Sequence, residues 1–375
     1  MRFYYLTLLT LTTLLVMNCS EGNKDKISQE IDYSTLKLLN YTTELEIGES
    51  EDFLPGGFTS IVVSSSGNII VSDRGNISIE QFDSKGNYLG RVASEGQGPG
   101  EVSGFFNLKS LGNDTLLVNS TNGLIMKFGA SPDGMFEFVS DEKLDQNGNS
   151  FNIVSELRPG QYLASKRLVI RDITRYLQNI DDYSTEDYGV VNADGSVAID
   201  SLFSLKSSLP HIVQSGGGIS VNSVPYRFTD EISVLDNGDY LIARIDSSFA
   251  KVYDNEHSIQ KTIPLNIKER EITDKELEFT FKDVDEKVKS DIAQRVKSFK
   301  PPFQKIWTSP GKIWLLTDIN ESGKEIVILD FDGNALGKFI LSSEDNIQHI
   351  EGDYIYSIYR SETKGDLIRK YKIEL

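Results

Sequence analysis

Six short segments with one shared pattern run through the chain, and this repeat limits the fold more than any other feature. Each segment has a tight turn that contains glycine, followed at once by a run of aliphatic, β-branched or aromatic residues. The pattern predicts a β-hairpin, because glycine supplies the positive φ of the turn and the following residues favour a strand. The six turns are Ser66-Gly67-Asn68, Leu111-Gly112-Asn113, Pro159-Gly160-Gln161, Asn237-Gly238-Asp239, Pro310-Gly311-Lys312 and Glu351-Gly352-Asp353.

A second turn, rich in Asp, Asn and Gly, follows five of the six hairpins and has a strand pattern on both sides. The sixth unit has only a third strand, over residues 366–375. Six units of four strands predict an all-β, six-bladed β-propeller. Residues 36–47 also have a strand pattern, so we expect them to supply the outer strand of the last blade and to close the ring.

Two motifs connect this pattern with a known family. They are GQGPGE, at residues 96–101, and PPFQKIWTSPGKIWLL, at residues 301–316. With these motifs, residues 36–375 resemble the six-bladed β-propeller lipoproteins of Bacteroidetes-type bacteria, which are related to NHL-repeat and TolB-like propellers. The resemblance implies a propeller in the cell envelope. It implies no particular reaction, because most of that family has none assigned.

The N-terminus predicts export and a lipid anchor. Arg2 precedes the apolar run Phe3–Met17, which is too short for a transmembrane helix and fits the core of a signal peptide. The single cysteine, Cys19, follows this run, in a position that resembles the lipidated cysteine of a lipobox. Asn18 departs from the small residue that is usual there. An ordinary secretory signal or a structural cysteine is the alternative.

We therefore divide the chain into a signal peptide at 1–18, a lipidated tether at 19–35 and a propeller at 36–375. The expected location is the bacterial outer membrane, with the protein facing the periplasm or the cell surface. Because 56 acidic residues outnumber 38 basic ones, the net charge is −18, which excludes nucleic acid as a partner. The expected partners are the membrane, through the lipid, and an envelope protein or a small ligand.

The long connections of the predicted propeller all fall on one face. We label the strands of each blade A to D from the axis outward, so that A–B and C–D turns share one face. The B–C loops and the crossovers between blades share the other, which we call the crossover face. A rigid scaffold commonly carries its binding site on its longest loops, so we predict that the crossover face binds the partner. Its long segments are 94–104, 141–150, 166–187, 203–225 and 264–302.

The glycine-rich stretch SEGQGPGE, which ends at Glu101, lies in the first of these crossovers. A phosphate-binding loop would be followed by a helix N-terminus, but here a strand pattern follows. We interpret the stretch as a shaped crossover. Gln97 and Glu101 within it, with Asp73 and Arg74 from the neighbouring B–C loop, form the candidate binding face. We expect Arg91 to pair with Glu101 and to fix the loop.

Residues 268–300 predict a helical insertion between blades four and five. Thr273 and Glu276 have the spacing of a capping box, and apolar residues recur at helical spacing up to Phe299. We expect this apolar stripe to pack on the propeller itself. The alternative is a lid or a helix that docks a partner.

Catalytic and metal-binding motifs are absent from the sequence. The three histidines have no metal-ligand spacing, and there is no G-x-S-x-G or Walker A motif. His349 falls in a predicted inner strand. Asp145, Asn147 and Asn149 alternate as in a calcium loop, but the glycine is misplaced and the closing acid is missing. We predict no metal and no cofactor, and calcium at this segment is the alternative.

These observations favour a non-enzymatic function. The leading hypothesis is a lipid-anchored binding or scaffold module that acts through its crossover face. The alternative is a metal-dependent propeller hydrolase, lactonase or lyase with its site at the axial channel. A part in glycan or peptide uptake is a third hypothesis.

Overall fold

A computed structural model describes residues 30–375, except 113, 121–123, 145–150, 167–176, 179–182, 216–217, 228, 236 and 283. The chain divides into two units, Met1–Glu30 and Ile31–Leu375. The predicted signal peptide and Cys19 therefore lie outside the described residues. The second unit contains six four-stranded antiparallel sheets in a ring, which confirms the six-bladed β-propeller. Among the described residues, no helix has the length and apolar character needed to cross a bilayer.

In blades one to five, the four strands pair in chain order from strand A to strand D. Blade one contains β2 (Phe58–Val63), β3 (Ile69–Asp73), β4 (Ser78–Phe82) and β5 (Tyr88–Ala93). Blade two contains β6 (Phe106–Ser110), β7 (Thr115–Ser120), β8 (Leu124–Ala130) and β9 (Phe136–Lys143). Blade three contains β10 (Phe151–Arg158), β11 (Gln161–Lys166), β12 (Tyr183–Asn192) and β13 (Val197–Ser208), and a hairpin of β14 (His211–Ser215) and β15 (Gly218–Asn222) follows it.

Blade four contains β16 (Glu231–Val234), β17 (Tyr240–Ala243), β18 (Phe249–Tyr253) and β19 (Ile259–Pro264). Blade five contains β20 (Lys305–Ser309), β21 (Lys312–Asn320), β22 (Gly323–Asp330) and β23 (Ala335–Leu341). Blade six contains β24 (Asp345–Glu351), β25 (Tyr354–Ser361), β26 (Gly365–Glu374) and, from the other end of the chain, β1 (Asn40–Ile47). All six predicted A–B turns join a strand A to a strand B.

The N-terminal strand closes the ring, as predicted. β1 runs antiparallel to β26 as the outer strand of blade six, with Asn40 opposite Glu374 and Ile47 opposite Ile368. The Glu46 carboxylate also lies 3.0 Å from Nε of Arg369. This pairing covers the edge that β26 would otherwise expose, and it ties the two ends of the propeller together.

Packed structure begins ahead of the predicted boundary at residue 36. The amide of Ile31 donates to the carbonyl of Asn266 at 2.6 Å, and a 3₁₀ helix spans Tyr33–Thr35. The Tyr33 side chain is buried between blades four and five, and its hydroxyl donates to the Pro302 carbonyl at 3.2 Å. The packed residues of this unit therefore begin at Ile31 and not at residue 36.

Blade three has longer strands than its sequence suggested. Segments 166–187 and 203–225 were expected to be loops, but β12 begins at Tyr183 and β13 continues to Ser208. These parts of the strands are polar because much of their surface faces water, where a strand accepts Ser, Asp and Glu. Composition alone therefore misplaced them.

The core consists of six apolar layers, one between each pair of neighbouring blades. A seventh, smaller cluster lies in the insertion between blades four and five. The insertion contains α1 (Asp274–Thr280) and α2 (Glu286–Ala293), and the predicted capping box of Thr273 and Glu276 is present. Phe281 and Ile292 are buried against Val224, and Val284, Val288 and Val296 are partly buried around them. Phe299, the last residue of the predicted stripe, is 39% exposed, so the chain covers the stripe only in part.

Candidate functional site

Asp73 supports the B–C loop of blade one from the inside. Its side chain is buried, and the carboxylate accepts hydrogen bonds from the amides of Gly56, at 2.7 Å, and Gly75, at 3.1 Å. Nδ2 of Asn76 donates to it at 2.9 Å. The hydrogen bonds of Asp73 therefore hold its own loop and tie it to the crossover before blade one.

Arg74 and Phe105 form an exposed pair on the crossover face. The guanidinium carbon lies 4.0 Å from the ring centroid, and 57% of Phe105 is exposed. Such a cation–π contact holds the B–C loop of blade one against the start of blade two. Arg74 belongs to the predicted binding face, and together with Phe105 it exposes both a charge and apolar surface to solvent.

The stretch SEGQGPGE folds back on itself. The amide of Gly96 donates to the carbonyl of Val102 at 3.0 Å, and the amide of Gly98 donates to the Glu101 carboxylate at 2.7 Å. A Cβ at Gly96 would lie 1.9 Å from Oε2 of Glu101, so a larger residue there would displace this carboxylate from the Gly98 amide. Gln97 is exposed in the loop. The stretch is a shaped crossover, as interpreted.

Arg91 has a different partner from the one we expected. Its Nε lies 2.8 Å from Oε1 of Glu80, which is buried and directly opposite Arg91 in the β4–β5 pair. The Tyr88 hydroxyl donates to the same carboxylate at 2.7 Å. The expected pairing with Glu101 is wrong, because a buried carboxylate on the adjacent strand is the nearer partner.

A cavity of about 360 Å³ occupies the axial channel at the end where the A–B turns lie. Residues from all six blades line it, and none of the described residues on its wall is Lys or Arg. Most of the polar groups on its wall are hydroxyls and amides. One example from each blade, in order, is Ser64, Ser110, Ser155, Ser233, Thr308 and Gln348.

Two larger side chains also line this cavity, Trp307 from β20 and His349 from β24. His349 lies in an inner strand, as predicted, and its ring centroid is 5.9 Å from that of Tyr356. Burial lowers the pKa of His349 to about 4. The imidazole is therefore neutral at pH 7, and it offers one donor and one acceptor without a charge.

The opposite end of the channel is charged. Lys109 projects from the inner strand of blade two, and its Nζ donates to the carbonyl of Ile153. Burial lowers the pKa of Lys109 to about 8, while the negative charge of Glu186 opposes this change and the positive charge of Lys305 adds to it. Lys305 is the first residue of the inner strand of blade five, so the strands that carry these two lysines lie across the ring from each other.

Glu231 joins this group from the inner strand of blade four. Burial raises the pKa of Glu231 to about 7, and the Lys305 charge and a hydrogen bond from the Ile306 amide act against that rise. A carboxyl group and an amine that both titrate near neutral pH can exchange protons with a bound molecule. Sequence reasoning missed these residues because they come from three separate blades.

In the part of the chain that the structure describes, no three His, Cys, Asp or Glu side chains are grouped so that they could hold a metal ion. The segment considered for calcium, residues 145–150, lies outside that part.

Comparison with known proteins gives similarity in structure only. No family model and no curated protein matches the sequence. A solved structure of a Bacteroides fragilis protein described as exported has a TM-score of 0.50 at 10% identity, over 92% of this chain and 96% of its own. A member of the DUF4221 family from Bacteroides vulgatus has a TM-score of 0.51 at 9% identity, over 90% and 99%. At such identities the likeness shows the propeller fold alone.

Proposed function

We propose that the protein is a binding module of the bacterial cell envelope, held at the outer membrane by a lipid on Cys19. We further propose that a small uncharged ligand occupies its axial cavity. The observation that carries the proposal is this cavity, into which all six blades contribute side chains. Its volume of about 360 Å³ falls within the range typical of ligand pockets, about 300–1,000 Å³.

The lining of the cavity favours a molecule with many hydroxyl groups. Serine, threonine and amide side chains both donate and accept hydrogen bonds, as sugar hydroxyls do. The indole of Trp307 adds an apolar surface, and Asp114 and Glu351 are the carboxylates on the wall. Carboxylates without a lysine or arginine disfavour anions, as does the net charge of −18. A neutral saccharide is therefore the ligand class that fits.

This proposal puts the ligand at the channel end opposite to the crossover face. The crossover face keeps the exposed pair of Arg74 and Phe105, with Gln97 and Glu101 in the adjacent loop. We retain it as the surface for an envelope protein. A single propeller can thus hold a small ligand at one end of its axis and a partner at the other.

Anchoring through Cys19 is tested by cell fractionation. The apolar run before this residue supports it, as does the structural similarity to a Bacteroides protein described as exported. The Cys19→Ser variant should move from the membrane fraction to the soluble fraction. Membrane partitioning equal to that of the wild type would refute the lipid anchor.

Ligand binding is tested by calorimetry with a panel of neutral mono- and disaccharides. The Ser233→Phe variant places a bulky ring in the cavity wall and should weaken binding at least about tenfold. Ser258→Phe is the matched control, because Ser258 is exposed in the C–D turn of the same blade. Equal affinity for Ser233→Phe, or no binding of any saccharide, would contradict the proposal.

A second candidate function is an enzyme that transfers protons, such as a lyase or hydrolase. The observation in its favour is the group of Glu231, Lys109 and Lys305, in which a carboxyl and an amine titrate near neutral pH. Turnover of a lactone or ester panel that is lost in Glu231→Gln would support it. Equal turnover by wild type and variant would refute it.

A further inference from the structure

A second cavity, of about 270 Å³, lies between blades five and six toward the crossover face. Among the described residues that line it, four have polar side chains and none is Asp or Glu. The polar ones are Lys305, Lys324, Asn346 and Gln348, and the apolar ones are Trp307, Leu316 and Ile347. The charge of its described lining is thus opposite to that of the axial cavity, whose described lining has carboxylates and no lysine or arginine.

The two lysines have no carboxylate bound to them. Nζ of Lys324 donates to two backbone carbonyls, those of Ser343, at 2.7 Å, and Asp345. Among the described residues, none forms a hydrogen bond or an ion pair with the ammonium group of Lys305. Burial lowers the pKa of Lys324, and the negative charges of Asp345 and Glu344, which form no ion pair with it, oppose this change.

Two such cations at one cavity are unusual in a chain with a net charge of −18. The electrostatic repulsion between the two ammonium groups decreases when an anion binds between them, because a carboxylate accepts charge-assisted hydrogen bonds from both lysines. The amides of Asn346 and Gln348 can donate to the same group. Leu316, Ile347 and the Trp307 ring provide a wall that suits a hydrocarbon chain.

We propose that this cavity is a site for a small organic anion, namely a carboxylate with a short apolar tail. The carboxylate lies between Lys305 and Lys324, and the tail lies against Trp307. The cavity volume of about 270 Å³ limits the ligand to a few carbon atoms beyond the carboxylate. The site does not depend on the saccharide proposal, since a different ligand class and a different group of charges define it.

Tryptophan fluorescence reports on this site directly. The chain has two tryptophans, of which Trp314 is fully buried with Nε1 bonded to Ser309 Oγ at 2.9 Å. Trp307 lines both this cavity and the axial cavity, so a change in its emission is assigned to this cavity by its loss in the Lys305→Met variant, whose lysine lines this cavity and not the axial one. Calorimetry gives the affinity independently of the optical change.

The experiment titrates the purified protein with sodium butyrate, with butyramide as the uncharged equivalent and with inorganic phosphate as an anion without a tail. Ionic strength is held constant with sodium chloride, because salt screens the lysines. We expect saturable binding of butyrate with a change in tryptophan emission. Butyramide and phosphate should each bind at least about tenfold more weakly.

Lys305→Met should weaken butyrate binding at least about tenfold, whereas Lys305→Arg should retain most of it. The matched control is Lys312→Met, which removes the same charge from the A–B turn end of blade five, where Lys312 pairs with Asp353 at 2.8 Å. Lys305 is exposed at the start of β20, so the strand pairing should survive its replacement, and circular dichroism checks this. Absence of saturable butyrate binding would overturn the inference. So would butyramide or phosphate binding as tightly as butyrate, or full affinity in Lys305→Met.

Discussion

Replacement of Lys109 by methionine should make the propeller more stable at neutral pH. Lys109 is partly buried in the axial channel, and its pKa falls from 10.5 to about 8. The folded protein therefore holds this proton less tightly than the unfolded chain does. Each unit of pKa difference corresponds to about 1.4 kcal/mol, so the buried ammonium costs about 3 kcal/mol at pH 7. Methionine has a similar length and carries no charge.

The variant also loses the hydrogen bond from Nζ to the Ile153 carbonyl, which is worth about 1 kcal/mol. The expected net gain is therefore about 2 kcal/mol in the free energy of unfolding at pH 7. The size of this gain depends on pH. The destabilisation by the Lys109 ammonium is complete below about pH 8, where the lysine is charged in both the folded and the unfolded state. It decreases as the pH rises from 8 to 10.5 and is absent above 10.5.

Urea unfolding of wild type and Lys109→Met at a series of pH values measures this difference. The variant should have the higher midpoint at pH 7, and the two midpoints should converge by about pH 10 as the lysine of the wild type becomes neutral. A variant that is less stable at pH 7, or a difference that does not change with pH, would refute the account of the charged channel end.

Three further predictions concern the channel, the insertion and the ring. The free energy of unfolding of the wild type should fall by about 3 kcal/mol between pH 6.5 and 4, because His349 takes up a proton at a higher pH in the unfolded chain than in the folded protein. The His349→Gln variant should lack this fall in an acid-unfolding experiment. Lys300→Met removes the counter-charge of the buried Asp318 and the partly buried Glu276, and should lower the free energy of unfolding measured in urea by about 3–5 kcal/mol, whereas Lys289→Met, at a more exposed ion pair, should change it by less than about 0.5 kcal/mol. Truncation through residue 47 removes β1 and should give aggregation in size-exclusion chromatography, while truncation through residue 29 should leave a folded monomer.

The parts of the fold that the sequence predicted depend on local chemistry. A glycine with positive φ, such as Gly67 or Gly352, forms the turn between two strands, and this turn depends only on the residues beside it in the sequence. Ring closure was also predictable, because the last unit lacked a strand and residues 36–47 had the pattern of one. The start of β12 at Tyr183 was not, since a polar strand in contact with water resembles a loop in composition.

The site residues depend on contacts between distant blades, and this limits their prediction. Asp73 and Glu101 look available in the sequence, but in the structure both carboxylates accept hydrogen bonds that hold the loops of the crossover face. Ser64 and Ser233 look unremarkable, yet they face one cavity because each lies at the axial end of its blade. Lys305 is a candidate for anion binding because neither a hydrogen bond nor an ion pair with a described residue neutralises its charge.

The central claim is that the axial cavity holds a neutral polar ligand. A crystal structure of the protein with the saccharide that binds most tightly in calorimetry tests it most directly. The account predicts density for the sugar in the cavity, with hydrogen bonds to side chains from several blades, such as Ser110, Ser233 and Gln348. A sugar bound instead on the crossover face beside Arg74 and Phe105, with the axial cavity free of it, would contradict the account.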